Sequence, residues 1–249
     1  MLQTDELQPV PDTLQRGFGV IRKPGRNVGK TKEKAVEPLE EMAPRDRLIA
    51  AAVALFAQHG YDAVSTGNVA TKAGLTQSMV HYHFGSKLKL WEAAIDHIMR
   101  KRGAVFPIGQ FLNLADVDPL TRLKIMIRTF VSSNAADPDL NRILIHEGMQ
   151  STPRLKWLAK IYMSQGYQVF NDAIEEAMQA GLVRRLPVHE VTNIIVGACA
   201  LTFSIGALLQ AVYGSAVDDP ASVASMADTL VTVLFRGLEL SGAPSPGQA

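Results

Sequence analysis

Between Thr66 and Lys87 the chain gathers hydrogen-bonding side chains suited to gripping an anionic polymer rather than to breaking a bond. Gln77, Ser78, His81 and Tyr82 share one side of a short segment, and its opposite side carries Val80 and Phe84, one helical turn apart. A primary amide pairs with an adenine edge through two hydrogen bonds, while hydroxyl, phenol and imidazole groups serve phosphate oxygens. Met79 offers an apolar group for a thymine methyl. Just beyond, Ser86 is placed to cap a helix that has Lys87 in its first turn. Free N–H groups, a positive helix end and an ammonium together form a phosphate site, and the helix dipole disfavours such a lysine unless an anion is present. The residues expected to contact nucleic acid are Thr66, Gln77, Ser78, Met79, His81, Tyr82, His83 and Lys87.

The elements that must hold them are two short helices and a tight turn. Thr66 is expected to cap the first, with Val69 and Ala70 facing inward. Gly74 falls where that helix must end, since the left-handed residue after a helix favours a side chain with no Cβ. Leu75 fills the corner, Thr76 caps again, and the second helix runs through His83. A helix, a glycine turn and a second short helix make the unit that inserts its second helix into the DNA major groove. Two longer helices should support it. One is expected from Pro44 to His59, with the apolar stripe Ile49, Ala52, Val53 and Phe56 and a stop at Gly60. The other is expected from Lys87 to Arg102, with Leu88, Trp91, Ile95 and Ile98 inward and Arg100-Lys101-Arg102 complementing its negative end.

The run from Arg45 to Ile95 resembles the DNA-binding domain of the tetracycline-repressor (TetR) family. The matching features are Leu55-Phe56, Gly60-Tyr61, Thr66, Val69-Ala70, Ala73-Gly74-Leu75, His83-Phe84 and Ser86-Lys87, in unbroken spacing. The chain departs from that pattern at His81, where the family usually has Tyr, and at Ser78, Met79 and Leu88. The resemblance implies a homodimeric regulator with a ligand-binding domain behind the DNA-reading head. It also implies that the helix after the head links the two domains, and that the last two helices of each subunit pack as a four-helix bundle with the other subunit's.

The remainder of the chain suits that plan. No stretch alternates with period two for long, so the fold class expected is all-α: an N-terminal three-helix DNA-binding domain with a helix-turn-helix, then a larger α-helical ligand-binding and dimerisation domain. Residues 1–43 are poor in apolar periodicity and carry seven Lys/Arg, and they are expected to form a disordered basic extension, either a solvated tail or an arm along DNA. Residues 44–102 form the head with its linker helix, 103–240 the effector and dimerisation domain, and 241–249 a flexible tail. Residues 45–102 hold eight Lys/Arg against four Asp/Glu, whereas residues 103–249 hold ten against thirteen. A basic head on an acidic body is the distribution a DNA-binding module requires. After a connector from Gly103 to Asp118 with the anchors Phe106, Phe111 and Leu112, helices are expected over Pro119–Ser133, Pro138–Gln150, Pro153–Ala180, Pro187–Tyr213 and Ala221–Leu240. Ile194 to Val212 approaches the ~20 residues of a membrane span, but its small and polar residues favour a helix packed closely on a partner.

Other chemistry finds little support. One cysteine, Cys199, excludes internal disulfides and cysteine metal clusters and fits a reducing cytoplasm. His146-Glu147 lacks the second histidine of a zinc-protease motif, and no glycine-rich phosphate loop follows a strand. Neither an enzyme nor a metal or cofactor is expected. The resemblance implies a cavity among the middle helices for a small, largely apolar effector. The residues offered for it are Phe130, His146, Glu147, Met149, Tyr162, Met163, Tyr167, Phe170 and Phe203, with Trp157 and Cys199 nearby in sequence and His146 and Glu147 as the polar groups to orient a ligand. The function expected is a ligand-responsive repressor binding a palindromic operator as a homodimer. The alternatives are an activator or effector-independent repressor of the same fold, or a helical interaction module that no longer binds DNA.

Overall fold

The computed structural model describes residues 42–107, 117–214 and 216–238. The expected N-terminal extension, the anchors Phe111 and Leu112 and the C-terminal tail fall outside these residues, Met42 and Ala43 apart. Every regular element among the described residues is helical. In chain order they are α1 (Pro44–Ala63), α2 (Thr66–Lys72), α3 (Gln77–Phe84), α4 (Lys87–Val105), α5 (Pro119–Ala136), α6 (Asp139–Gly148), α7 (Pro153–Leu158), a π-helical turn (Ala159–Met163), α8 (Ser164–Gln179), α9 (Val188–Ser204), α10 (Gly206–Tyr213) and α11 (Pro220–Leu238).

Two cores organise these helices. In the head, Leu48, Ala52 and Phe56 recur every fourth residue along α1 and meet Val69 of α2, Val80 of α3, and Leu90, Trp91, Ile95 and Ile98 of α4. Each large side chain so buried contributes roughly 1.5–3 kcal/mol. This core does not end with α4. Leu140 and Ile143 of α6, with Leu158 and Tyr162, complete it, so α6 is seated directly on α1. The second core holds Leu123, Ile127 and Val131 of α5, Phe170, Ile174 and Ala177 of α8, Ile195, Cys199 and Phe203 of α9, and Leu230, Val231 and Phe235 of α11.

Several boundaries depart from expectation for identifiable reasons. Gly60 does break α1, with φ +75° and ψ 170°, but the chain resumes a helical turn as far as Ala63. The helix expected over Pro153–Ala180 is interrupted by the π-helical turn at Ala159–Met163, where one extra residue widens the coil. The helix expected over Pro187–Tyr213 breaks at Ile205, and its halves are bent by 70°. Arg142 of α6 donates Nε to the Ser204 carbonyl at 3.1 Å, and Leu208 N turns back to Ile205 O at 2.9 Å, so the regular helical ladder stops there. No single helix among the described residues is long and apolar enough to cross a membrane; only the bent pair α9–α10 reaches that length and apolarity together.

Candidate nucleic-acid interface and internal cavity

The turn between α2 and α3 is held by a residue from α1. Arg47 donates Nε and Nη2 to the carbonyl of Ala73, at 3.1 and 2.7 Å, and so satisfies the end of α2. Gly74 follows at φ +65°, and a Cβ there would stand 2.8 Å from Arg47 Nη2. Glycine is required twice, by the backbone and by the guanidinium laid across it. Leu75 N closes the turn on Ala70 O at 2.9 Å. The start of α2 corrects the expected cap. Ser65, not Thr66, is the N-cap, and its hydroxyl accepts from Asn68 N at 3.0 Å while the Asn68 side chain accepts from Ser65 N. Thr66 is thereby the first helical residue, with its hydroxyl free to serve another group. Thr76 occupies the N-cap of α3 without capping it; its hydroxyl instead bonds Ser78 Oγ at 2.8 Å.

The expected face of α3 is largely open. Gln77, Ser78 and His81 are exposed, and Tyr82 is 81% exposed. Gln77 donates its amide to Thr66 Oγ1 at 3.1 Å, and His81 Nδ1 lies 3.3 Å from Gly85 O. Met79 and His83 sit less freely. Met79 packs partly against the head core, and His83 is half-buried against Tyr82, with Nε2 enclosed and without a hydrogen-bond partner. Ser86 caps α4 as expected, accepting from Lys89 N at 3.2 Å. Lys87 does not project. Its ammonium lies 4.1 Å from the centre of the Tyr61 ring, where burial lowers its pKa against the opposing pull of Asp62. Ser65, Thr66, His81, Ser86 and Lys87 line one shallow recess, into which both the start of α2 and the start of α4 open.

Behind the head lies a cavity of about 540 Å³, within the range of small-molecule sites at ~300–1,000 Å³. Five of the nine residues offered for a ligand line it: Phe130, Tyr162, Met163, Tyr167 and Phe170. The other four do not. The His146 ring packs on Gly60 of α1. Glu147 is buried and engaged, accepting from Arg154 Nε at 3.0 Å and from Thr152 Oγ1 at 2.9 Å. Met149 is 72% exposed, and Phe203 belongs to the second core. The polarity of His146 and Glu147 is taken up at the joint between α6, α7 and α1. Arg154 also faces Asp62 at 3.8 Å and lies over Tyr61, so this joint ties the body to the head.

Sequence reasoning missed the wall that α4 supplies, which is Met99, Arg102 and Gly103, with Phe106 after them. By sequence position Arg102 serves the negative end of its helix. Instead its Nη2 donates to Asn134 Oδ1 at 2.9 Å, while Nη1 is buried with no hydrogen-bond partner. Asn134 also accepts from Asn141 Nδ2 and donates to Phe130 O, and the guanidinium lies 5.1 Å from the Phe130 ring centre. Burial lowers the Arg102 pKa to about 10, with Asp137 opposing, so the group remains a cation at neutral pH. A packed series of rings leads from the cavity towards the head. Tyr162 meets Trp157 at 5.5 Å, Trp157 meets Trp91 at 5.6 Å, and Trp91 meets Tyr61 at 6.3 Å, beneath Lys87.

A helix-turn-helix with an open second helix, joined through one long helix to a body with a cavity among its helices, defines a class of regulator. The family model for bacterial regulatory proteins of the tetR family matches residues 48–94, and that for the tetracyclin repressor-like C-terminal domain matches residues 119–234. The chain belongs to the TetR family and is a DNA-binding transcriptional regulator. It is 26% identical over 215 residues to the transcriptional regulator BetI of Brucella suis, covering 84% of this chain and 96% of that one. It is 25% identical over 160 residues to the transcriptional repressor NicS of Pseudomonas putida, covering 62% and 73%. Among solved structures, the ketosteroid transcriptional regulator KstR2 of Mycobacterium tuberculosis superposes with a TM-score of 0.63 at 18% identity, covering 80% of this chain and 96% of that one. A tetR-family regulatory protein from Rhodococcus RHA1 gives 0.63 at 19% identity, covering 81% and 100%. These two likenesses concern the fold.

Proposed function

We propose that this regulator is a ligand-responsive repressor that binds a palindromic operator as a cytoplasmic homodimer and is released from it when the internal cavity fills. The observation that carries this reading is the placement of α4. Its last turns wall the cavity through Met99, Arg102 and Gly103, and its first residue, with the Ser86 cap, lines the shallow recess beside α3. A ligand that displaces one end of a rigid helix displaces the other. The ring series from Tyr162 to Tyr61, and the hydrogen bond from Tyr162 to Asp96 on α4, give the same motion a second support.

In this reading Gln77, Ser78 and Met79 face base edges, and Thr66, His81, Tyr82, His83 and Lys87 hold the backbone. Tyr162, Met163, Tyr167, Phe130 and Phe170 contact the effector. Dimerisation is assigned to the exposed apolar residues Ile194 and Leu201 of α9, Leu208 and Val212 of α10 and Val233 of α11, which a lone subunit would leave in water. Two heads on a two-fold axis require half-sites about 10 base pairs apart or a multiple of that. Effector control is a difference in affinity between the two arrangements of the heads, typically about 1–3 kcal/mol.

The test is a binding selection over genomic fragments with purified full-length protein, followed by a reporter with the recovered site placed over a promoter. An inverted repeat that lowers transcription when the protein is expressed is the expected result. No enriched sequence from a folded dimer, or increased transcription, would overturn the reading.

A further inference from the structure

Among the described residues that line the cavity, Arg102 alone carries a formal charge. The rest of the wall is mainly aromatic and aliphatic, with Phe106, Phe130 and Phe170 in mutual contact at centroid distances of 5.3 to 6.2 Å. A guanidinium in such surroundings is costly unless its donors are matched. Here they are matched in part. Asn134 takes Nη2 and is itself held at its amide nitrogen by Phe130 O, so the guanidinium is fixed rather than free to swing. Nη1 is enclosed and has no acceptor. The acid nearest in charge, Asp137, is already paired with Lys101 at 2.9 Å.

We propose that the cavity takes an amphipathic monocarboxylate, with Arg102 as its anchor and the apolar walls around its body. The inference rests on the effector-cavity reading above and specifies its ligand class. A neutral ligand would leave the guanidinium charge without a counter-ion in the cavity, and an ammonium would be repelled. A doubly charged phosphate would bring more charge than one cation can balance against mainly apolar walls. One carboxylate supplies the single negative charge that the Arg102 guanidinium calls for, with the Asn141 side chain also at the wall. Because Arg102 stands on the last turns of α4, a carboxylate held there pulls on the helix that carries Lys87 at its other end.

The experiment uses full-length protein and displacement of the neutral fluorophore N-phenyl-1-naphthylamine. The competitors are two matched pairs, decanoate with 1-decanol and 4-phenylbutyrate with 4-phenyl-1-butanol. In the wild type at least one acid is expected to compete about tenfold or more better than its alcohol, the effect of a hydrogen bond to a charged group. Arg102→Met is expected to bind the fluorophore and the alcohols as before and to lose the preference for the acid. Should that variant fail to fold, the acid-to-alcohol ratio in the wild type decides alone. Equal competition by acid and alcohol in both pairs, or an acid preference that survives in Arg102→Met, would overturn the carboxylate assignment while leaving the effector cavity in place. Failure of the fluorophore and all four competitors to bind would overturn the cavity reading and this inference together.

Discussion

Gln77 donates its side-chain amide to the hydroxyl of Thr66 at 3.1 Å, so the first residue of α3 is tied to the first residue of α2. The amide is oriented before any DNA arrives, which lowers the ordering cost of a base contact. Gln77→Ala should cost about 1–3 kcal/mol on the operator and relax selectivity at one base pair of each half-site. Thr66→Ala should relax the same base pair by less, because the amide remains and only its orientation is lost. Profiling both variants on a library of single-base operator changes tests this. Relaxation at different positions would separate the two residues.

Lys87 makes a contribution of another kind. Its ammonium rests over Tyr61, next to Asp62 and at the edge of the recess shared with Thr66, His81 and Ser86. A phosphate entering that recess meets a lysine already partly desolvated. Lys87→Ala should weaken all DNA sequences alike and reduce the slope of log affinity against log salt by about 1. Affinity titrations on operator and random DNA at several salt concentrations measure both quantities.

Leu201 is half exposed on α9, one helical face along from Ile194 and Gly197. If this face meets its own copy across a two-fold axis, Leu201→Glu places two carboxylates in an apolar contact. Sedimentation should then report a monomer with an unchanged helical circular dichroism spectrum, and operator affinity should fall because one head cannot engage two half-sites. A variant that remains dimeric would move the interface elsewhere.

His97 couples stability to pH. Burial holds its imidazole below the ordinary value, with Arg100 and Lys101 acting in the same direction and Asp46 and Asp137 against it. A histidine lowered in the folded state contributes full stability above its unfolded pKa of about 6.5 and loses it as pH falls through the folded value. Urea midpoints should therefore fall between pH 7.5 and 5.5, and His97→Gln should flatten that fall.

The head was legible from sequence because its signals are local. Gly74, Val80, Ser86 and the apolar spacing of α4 each act within a turn or two. The start of α2 is decided on the same scale. Ser65 and Thr66 are adjacent hydroxyl residues, and the choice between them rests on Asn68 closing a reciprocal cap on Ser65. The break at Ile205 was not legible, since an arginine from α6 takes the Ser204 carbonyl. The cavity was half legible. Its aromatic residues on α5 and α8 announce themselves by type, but Arg102 looks like an ordinary basic helix end until Asn134 and Asn141 are brought beside it. His146 and Glu147 misled for the converse reason. Their partners, Gly60, Thr152 and Arg154, satisfy them at a joint between helices.

The open face of α3 is the centre of the functional reading, and removing it while keeping the fold tests that reading most directly. A Gln77→Ala, Tyr82→Ala double variant changes two exposed side chains and leaves Val80 and the head core intact. Anisotropy titrations against the selected palindrome, with thermal melts alongside, should show unchanged melting and an affinity reduced by about 100-fold, as expected for two lost contacts. Wild-type affinity in a folded, dimeric double variant would contradict the assignment of this face to DNA.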